Sequence, residues 1–575
     1  LSAWTLAYDV HFTGLNDRKA LSALKDASDL VSLQSRPPAS INGLKYRINA
    51  DIPNLIKVLH AFSYYDASIT SLMENEGNVT QVYFLINPGP AFTLSSYEVY
   101  QGECNDLASF TGCCPLTPMQ LGLNLGKPAL STDIVNAELN VLTELSKCGY
   151  PLAYIDKRRV EVDMETATLE AATCVQEGPI AKFGPITIFG LEEISPRFIE
   201  SKIRWKEGEL YDSDLVLNTQ EKLLKSELFS SVYISHGDLL NSQGELPMKM
   251  SFSEAKHKRI SLGAFYGPAD GFGVRFAWSH RNIGGMGDVL SLKGDASQNF
   301  FIGNITYKKG DFLAFDQTYR AFGEISQENI RAYHAFIYRA GNYLERPLAP
   351  NQNGSIGFKV EHINVLKSAT NKSYLLAGLP IFFRSSHSDD FLNPTKGYSM
   401  IYSATPYQSL FYGREHFVKQ RFTSQVYIPM NPKRSVVFAF RCQFGSIAGT
   451  NRSNVPLTKL FLGGSENDLR GYRYKTVSPL NENRKPLGGR SAILSTAEAR
   501  FRINTKLGLI SFADFGTITN SQWPDFTGKW YKSVGVGVRY FAFFGPFRVD
   551  VGFPLNRRHG IDPQYQFYAS VGQTF

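Results

Sequence analysis

At 575 residues the chain is too long for one compact domain and has to be read in pieces. A net charge of +8 without a long Lys/Arg block argues against nucleic acid as a partner, and 13% aromatic beside 19% charged residues suits strands at a membrane interface better than a helical enzyme. No stretch approaches the roughly 18 uninterrupted apolar residues of a spanning helix, which excludes that class of membrane protein but not a barrel, whose alternating strands cancel in a hydropathy window.

The chain opens on Leu1-Ser2 with no basic or long apolar leader, so mature numbering is expected. The first 257 residues repeat a pattern of one strand, two helical segments and two strands, in three copies. Leu59, Tyr64, Ala67 and Ile69 recur as Leu145, Tyr150, Ala153 and Ile155, and a third copy reads Leu224, Phe229, Val232 and Ile234. Each set places an apolar helix residue, an aromatic at the turn and alternating residues on a strand, as a small helix-covered sheet requires. Gly89-Pro90 before Phe92 and Gly178-Pro179 before Phe183 set the junctions, giving modules 1–89, 90–177 and 178–257.

Five of the six cysteines, Cys104, Cys113, Cys114, Cys148 and Cys174, fall in one stretch, and Cys442 stands alone in a strand pattern. Without a C-x-x-C pair or a nearby histidine, one or two disulfides are expected rather than zinc, with the connectivity open. No other metal or cofactor is expected. The repeats and the turn Gly149-Tyr150-Pro151 resemble the POTRA modules of the Omp85 superfamily. The resemblance implies a periplasmic array that offers sheet edges to unfolded chains, whose unpaired N–H and C=O groups accept an added strand with little side-chain specificity.

From Lys258 to Phe575, strand-like runs of about ten residues recur with turns between them, roughly sixteen in all, and predict an antiparallel transmembrane β-barrel over 258–575. The fold class expected is thus α+β modules followed by an all-β, 16-stranded barrel. Phe547, Val549, Val551 and Phe553 share one face while Arg548, Asp550 and Gly552 share the other, an apolar lipid side against a polar lumen side. Tyr565, Phe567, Ala569 and Val571 repeat the scheme to the terminal Phe575, which resembles the closing signal of outer-membrane barrels. The first strand, about Arg259–Gly267, and the last, Tyr565–Phe575, would meet at a seam, where Gly263, Gly267 and Gly572 reduce packing.

After the strand Ser435–Ile447 comes a connection of about forty residues, far longer than a hairpin needs. It carries Leu469-Arg470-Gly471-Tyr472, which resembles the Val-Arg-Gly-Phe/Tyr motif of the sixth extracellular loop of Omp85 barrels, a loop that folds back into the lumen. A buried guanidinium requires carboxylates. Glu498, on the face shared with Thr496, Arg500 and Arg502, is one candidate. Asp514, in Phe512-Ala513-Asp514-Phe515-Gly516, resembles the family's Phe-x-Asp-x-Gly receiver of the loop arginine. Asn393-Pro394-Thr395-Lys396-Gly397 resembles the family's Asp-Pro-x-x-Gly turn with Asn in place of Asp. Val534-Gly535-Val536-Gly537-Val538-Arg539 and Gly545-Pro546 are similar to its penultimate strands.

Three POTRA-like units before a sixteen-strand barrel resemble the TamA type, the outer-membrane subunit of the translocation and assembly module. That resemblance implies a non-enzymatic factor that inserts unfolded outer-membrane proteins or autotransporters through the seam into the lipid bilayer. It also implies an inner-membrane-anchored, periplasm-spanning partner of the TamB kind. The alternatives are the central barrel-assembly insertase, a protein-translocating channel of the two-partner secretion type with the Arg470 loop as a movable barrier, and a passive pore or surface antigen.

Overall fold

The computed structural model describes residues 6–76, 79–102, 106–107, 116–267, 271–366, 372–411, 415–542 and 545–571. The chain forms two compact units, Leu1–Leu191 with Ile199–Glu254, and Glu192–Phe198 with Ala255–Phe575.

The first unit holds three small sheets. In the first, β1 (Tyr8–Thr13) precedes α1 (Arg18–Ala27), α2 (Asp29–Ser32) and α3 (Ile41–Ala61), followed by β2 (Ser68–Glu76) and β3 (Val79–Asn87) in the order β1-β3-β2. The second contains β4 (Thr93–Gln101), β5 (Asp106–Leu107), α4 (Ser131–Lys147), β6 (Tyr154–Asp163) and β7 (Thr168–Gln176), in the order β5-β4-β7-β6. The third runs β8 (Lys182–Phe189), α5 (Pro196–Lys202), α6 (Ser213–Lys225), β9 (Phe229–His236) and β10 (Glu245–Glu254), in the order β8-β10-β9.

Local chemistry sets these elements. Asp17 caps α1 by accepting the Lys19 and Ala20 N–H groups, and Ser40 caps α3 through Gly43. The buried Asp51 carboxylate of α3 accepts the Ser28 hydroxyl at 2.6 Å and the Asp29 and Leu30 N–H groups at 3.0 and 3.2 Å, which fixes the start of α2. Each sheet then seals an apolar core, with Leu24, Leu44, Leu55 and Phe84 in the first module and Leu121, Val141, Leu145 and Leu169 in the second.

The repeat is visible backbone atom by backbone atom. Tyr64 N–H donates to Leu59 O and Tyr150 N–H to Leu145 O, both at 3.0 Å, across Ser63 and Gly149 in the left-handed region. Phe92 N–H then returns to Ser63 O, and Ala181 N–H to Gly149 O. The third copy is displaced by one residue from the sequence reading. Leu224 is 41% exposed, whereas Leu223 is fully buried and stands four residues before Glu227, the left-handed counterpart of Ser63 and Gly149. Cys148 and Cys174 are disulfide-bonded; Cys104, Cys113 and Cys114 lie outside the described residues.

Among the described residues the second unit is an antiparallel sheet of seventeen segments. They are β11 (Lys258–Gly267), β12 (Gly271–His280), β13 (Val289–Ser297), β14 (Phe300–Lys309), β15 (Thr318–Asn329), β16 (His334–Ala349), β17 (Gln352–Val365), β18 (Lys372–Gly378), β19 (Ile381–Ser386), β20 (Gly397–Ser409), β21 (His416–Pro429), β22 (Val436–Ala448), β23 (Ser491–Arg502), β24 (Leu507–Thr519), β25 (Tyr531–Ala542), β26 (Gly545–Pro554) and β27 (Gln566–Val571). Seventeen segments make sixteen staves, because β18 and β19 lie end to end between β17 and β20. The register is unbroken across their join, with Lys359 opposite Gly378 and Ile356 opposite Ile381. Pro380 at the join has no N–H to give the ladder.

Along the staves the apolar side chains face outward. On β25, Val534, Val536 and Val538 are exposed while Ser533 and Arg539 are buried; on β26, Phe547 and Val549 are exposed while Arg548 and Asp550 are buried. This inversion of the usual inside and outside is the pattern of a sheet solvated by lipid. Among the described residues no helix is long and apolar enough to cross a membrane. Strands β11 and β27 approach within 8 Å at their Cα atoms, yet no hydrogen-bonded ladder joins them among the described residues.

Candidate functional site: a loop arginine held inside the sheet

The segment between Ala448 and Ser491 turns inward instead of standing free, and strand register explains how the wall receives it. Glu498 of β23 sits opposite Phe512 of β24, Phe512 opposite Gly535 of β25, and Gly535 opposite Gly552 of β26. One cross-strand row thus reads carboxylate, ring, glycine, glycine. A Cβ at Gly535 would lie 2.2 Å from the Phe512 ring, so the ring lies flat only because that position is glycine. A Cβ at Gly552 would lie 2.8 Å from Gly471 N and 2.9 Å from Arg470 C, so the loop backbone rests directly on the wall there.

On this shelf Arg470 is fully buried. Its Nε and Nη2 donate to the two Asp514 oxygens, each at 2.9 Å, in a two-pronged pair, and its backbone N–H donates to Asp514 Oδ2 at 2.9 Å. Nη1 donates to Glu498 Oε1 at 2.8 Å and to Asp550 Oδ2 at 3.4 Å. The guanidinium lies 3.4 Å above the Phe512 ring centroid, which adds a cation–π contact. The carboxylates are themselves shared: Arg500 Nε donates to Glu498 at 3.0 Å, and Arg539 Nη1 to Asp550 at 2.5 Å. Three acids and three arginines therefore close one network, which is how so much buried charge is tolerated.

The rest of the tetrapeptide fixes the loop path. Gly471 has φ +94°, a conformation that a side chain rarely adopts, and its N–H donates to the Tyr568 hydroxyl at 2.8 Å. Tyr472 OH donates to Lys532 O at 2.8 Å, its ring stands edge-on to Tyr531, and Leu469 joins both in a buried cluster with Val477 and Leu494. Gly516 faces inward on β24, where a Cβ would meet Ile493 O at 2.6 Å. A second clasp holds the following turn, with Arg558 donating to Thr476 O at 2.7 Å and pairing with Asp562 at 2.7 Å. On the opposite wall Lys475 reaches Glu328 at 3.3 Å, and Lys459 pairs with Glu361.

Leu469, Arg470, Gly471, Tyr472, Glu498, Asp514 and Gly516 are thus brought together. Sequence reasoning did not assign Asp550, Phe512, Tyr568, Arg539 and Arg558 to this network. The sequence places Asp550 on the lumen face, and Phe512 lies two residues before Asp514 on one face of one strand, so face parity is the signal it offers; the register is what it lacks. Of the seam residues, Gly263 lies on β11 with open space around it, a Cβ there meeting only Arg275 Cβ at 4.0 Å. Gly267 ends β11, and Gly572 and Phe575 lie outside the described residues. In the turn before β20, where Asn393 stands in place of the family's aspartate, the negative charge comes from Asp389. Its carboxylate accepts Thr395 N–H at 2.8 Å, Lys396 N–H at 3.0 Å and Arg434 Nη1 at 2.8 Å.

The model of the Omp85 superfamily domain matches residues 282–575. Over 464 residues the chain is 22% identical to the outer membrane protein assembly factor BamA of Nitratidesulfovibrio vulgaris, covering 77% of this chain and 57% of that protein. It is 24% identical over 402 residues to the protein of the same name from Neorickettsia risticii, covering 64% of this chain and 52% of that one. The chain therefore spans about half the length of the curated relatives it matches. In fold it is similar to the crystal structure of BamA from Haemophilus ducreyi lacking POTRA domains 1–3, at a TM-score of 0.69 and 18% identity, over 83% of this chain and 99% of that one.

Proposed function

The chain belongs to the Omp85 superfamily, and from that premise we propose that it is an outer-membrane protein assembly factor that receives unfolded clients on its periplasmic modules and releases them into lipid between β11 and β27. The barrel lies in the outer membrane with the POTRA-like modules in the periplasm, so the loop bearing Arg470 returns from the outer side. The observation that carries the reading is the contrast at the seam: the two end strands are neighbours without a ladder among the described residues, while every other adjacent pair of staves is hydrogen-bonded. An unpaired strand edge is a template for another strand, and the apolar face of an incoming strand gains free energy on entering lipid, so neither nucleotide nor catalytic group is required.

Two subfamily readings remain distinct. The TamA-type reading, with its TamB-like partner, rests on three modules, and a chain spanning about half of its relatives' length sets no upper limit on the module number. The central-insertase reading is favoured by the name the two relatives carry. Affinity capture from crosslinked envelopes separates them: a long periplasm-spanning protein supports the first, a set of lipoproteins the second. The insertion reading itself is tested by joining Lys258–Gly267 to Gln566–Val571 with an engineered disulfide. Client insertion into liposomes should stop in the oxidised protein and return on reduction; full insertion with the seam locked sinks the proposal.

A further inference from the structure

At the end of the second unit where the Arg470 loop folds in, a polar cavity of about 610 Å3 is lined by Arg331 of the turn between β15 and β16, Arg473 of the loop, and Arg557 of the β26–β27 connection, with Asn329, Asp562 and Gln566 beside them. All three arginines are exposed, and none forms an ion pair among the described residues. The nearby carboxylates are already engaged. Asp562 is held two-pronged by Arg558 at 2.7 Å and accepts Arg473 N–H, and Glu328 is held by Tyr333 at 2.6 Å and Lys475 at 3.3 Å. The cavity therefore carries three positive charges without an ion-pair partner on three different segments, an arrangement that favours an anion.

A second observation points to a ligand. Gln566, the first residue of β27, presents a buried side-chain oxygen with no hydrogen-bond partner, and turning that amide over would offer N–H donors instead. Guanidinium forks match tetrahedral oxyanions with paired, charge-assisted hydrogen bonds, and three forks with an amide suit a phosphomonoester better than a single carboxylate. We propose that this cavity binds a phosphate-bearing ligand and thereby ties the loop, the β15–β16 turn and the start of the last strand together. The phosphate could come from a glycolipid headgroup of the outer leaflet or from a small phosphate. Only the lipid source rests on the membrane orientation proposed above.

The test uses the full chain in phosphatidylcholine nanodiscs containing bis-phosphorylated lipid A, with the bound lipid read by native mass spectrometry. Wild type should retain lipid A at least about tenfold better than the same lipid after phosphatase treatment, and R331Q/R473Q/R557Q should lose that preference. R331Q alone, in an exposed turn, should weaken it by about threefold and covers the case in which the triple variant misfolds, which heat-modifiable migration detects. Competition by millimolar inorganic phosphate would assign the site to a small phosphate, and lack of competition to the lipid; both support a phosphate site. Equal retention of the dephosphorylated lipid, or retention by correctly folded variants equal to wild type, overturns it. Client insertion is scored separately, so failure here leaves the insertion reading standing.

Discussion

The wall built from β22 to β26 and the wall that begins at β11 are made of the same alternating strands, yet they are finished differently. Behind β23–β26 the lumen face is covered by a loop and stitched by Arg470, Glu498, Asp514 and Asp550. On β11, Ile260 and Leu262 are 67% and 80% exposed, and Arg259, Ser261 and Gly263 on the other face are exposed as well. The stitched strands thus have a core of their own, whereas β11 buries none of its described side chains and is tied to β12 by its backbone ladder. The sheet is therefore held unevenly, most firmly where the loop packs on it and least at its first strand.

Arg470→Ala should break this contrast most severely, because it takes the two-pronged partner from the buried Asp514 and one partner each from Glu498 and Asp550, which keep Arg500 and Arg539. A loss of roughly 3–5 kcal/mol is expected in urea unfolding, with an altered heat-modifiability shift. An unchanged shift would mean that the network does not hold the stitched wall. Gly552→Ala places a methyl against the loop backbone and should cost about 1–3 kcal/mol, whereas Gly263→Ala, with open space around it, should stay within about 0.5 kcal/mol. Equal effects of these two glycine substitutions on the melting midpoint would erase the distinction between the walls. Tyr568→Phe removes the hydroxyl that receives Gly471 N–H and should cost about 0.5–1.5 kcal/mol, read as faster exchange of that amide.

The smallest effect concerns the Asp389 turn. Burial raises the Asp389 carboxyl, but the Thr395 hydroxyl and the Thr395 and Lys396 N–H groups outweigh it, so it lies below its ordinary value of 3.8. A depressed folded value means that the contribution is complete above that ordinary value and is lost as pH falls through the folded one. Hydrogen-exchange protection of Thr395 and Lys396 should persist through pH 5 and decline only below about pH 4. A decline centred near neutrality would assign the effect to another group.

Much of this was legible in the sequence, for definite reasons. Alternation on Phe547–Phe553 gives the barrel because a period of two carries face information directly. Leu469-Arg470-Gly471-Tyr472, Glu498 and Asp514 could be connected because a buried guanidinium demands partners on inward faces. Asp550, Phe512 and Tyr568 escaped because they meet Arg470 or Gly471 only after β24, β26 and β27 have taken one register, which no local pattern states. Asp389 escaped because its charge stands four residues before Asn393, the position that the motif marks. Helical periodicity does not separate Leu223 from Leu224, because it tolerates an offset of one, while the left-handed residue at Glu227 does not.

The stave made of β18 and β19 gives the barrel wall an unexpected mechanical property. Counting from β11, it is the eighth of sixteen, so in a ring it stands directly across from the joint of first and last. At Pro380 the wall is one donor short, although Gly357 N–H still reaches Pro380 O at 2.9 Å and the register does not slip. A hoop that parts at one point must flex most at the point opposite. Pro380 and the end strands, which share no ladder among the described residues, stand on opposite sides of such a ring, so any force that parted that joint would load the wall most heavily where it has one ladder donor fewer.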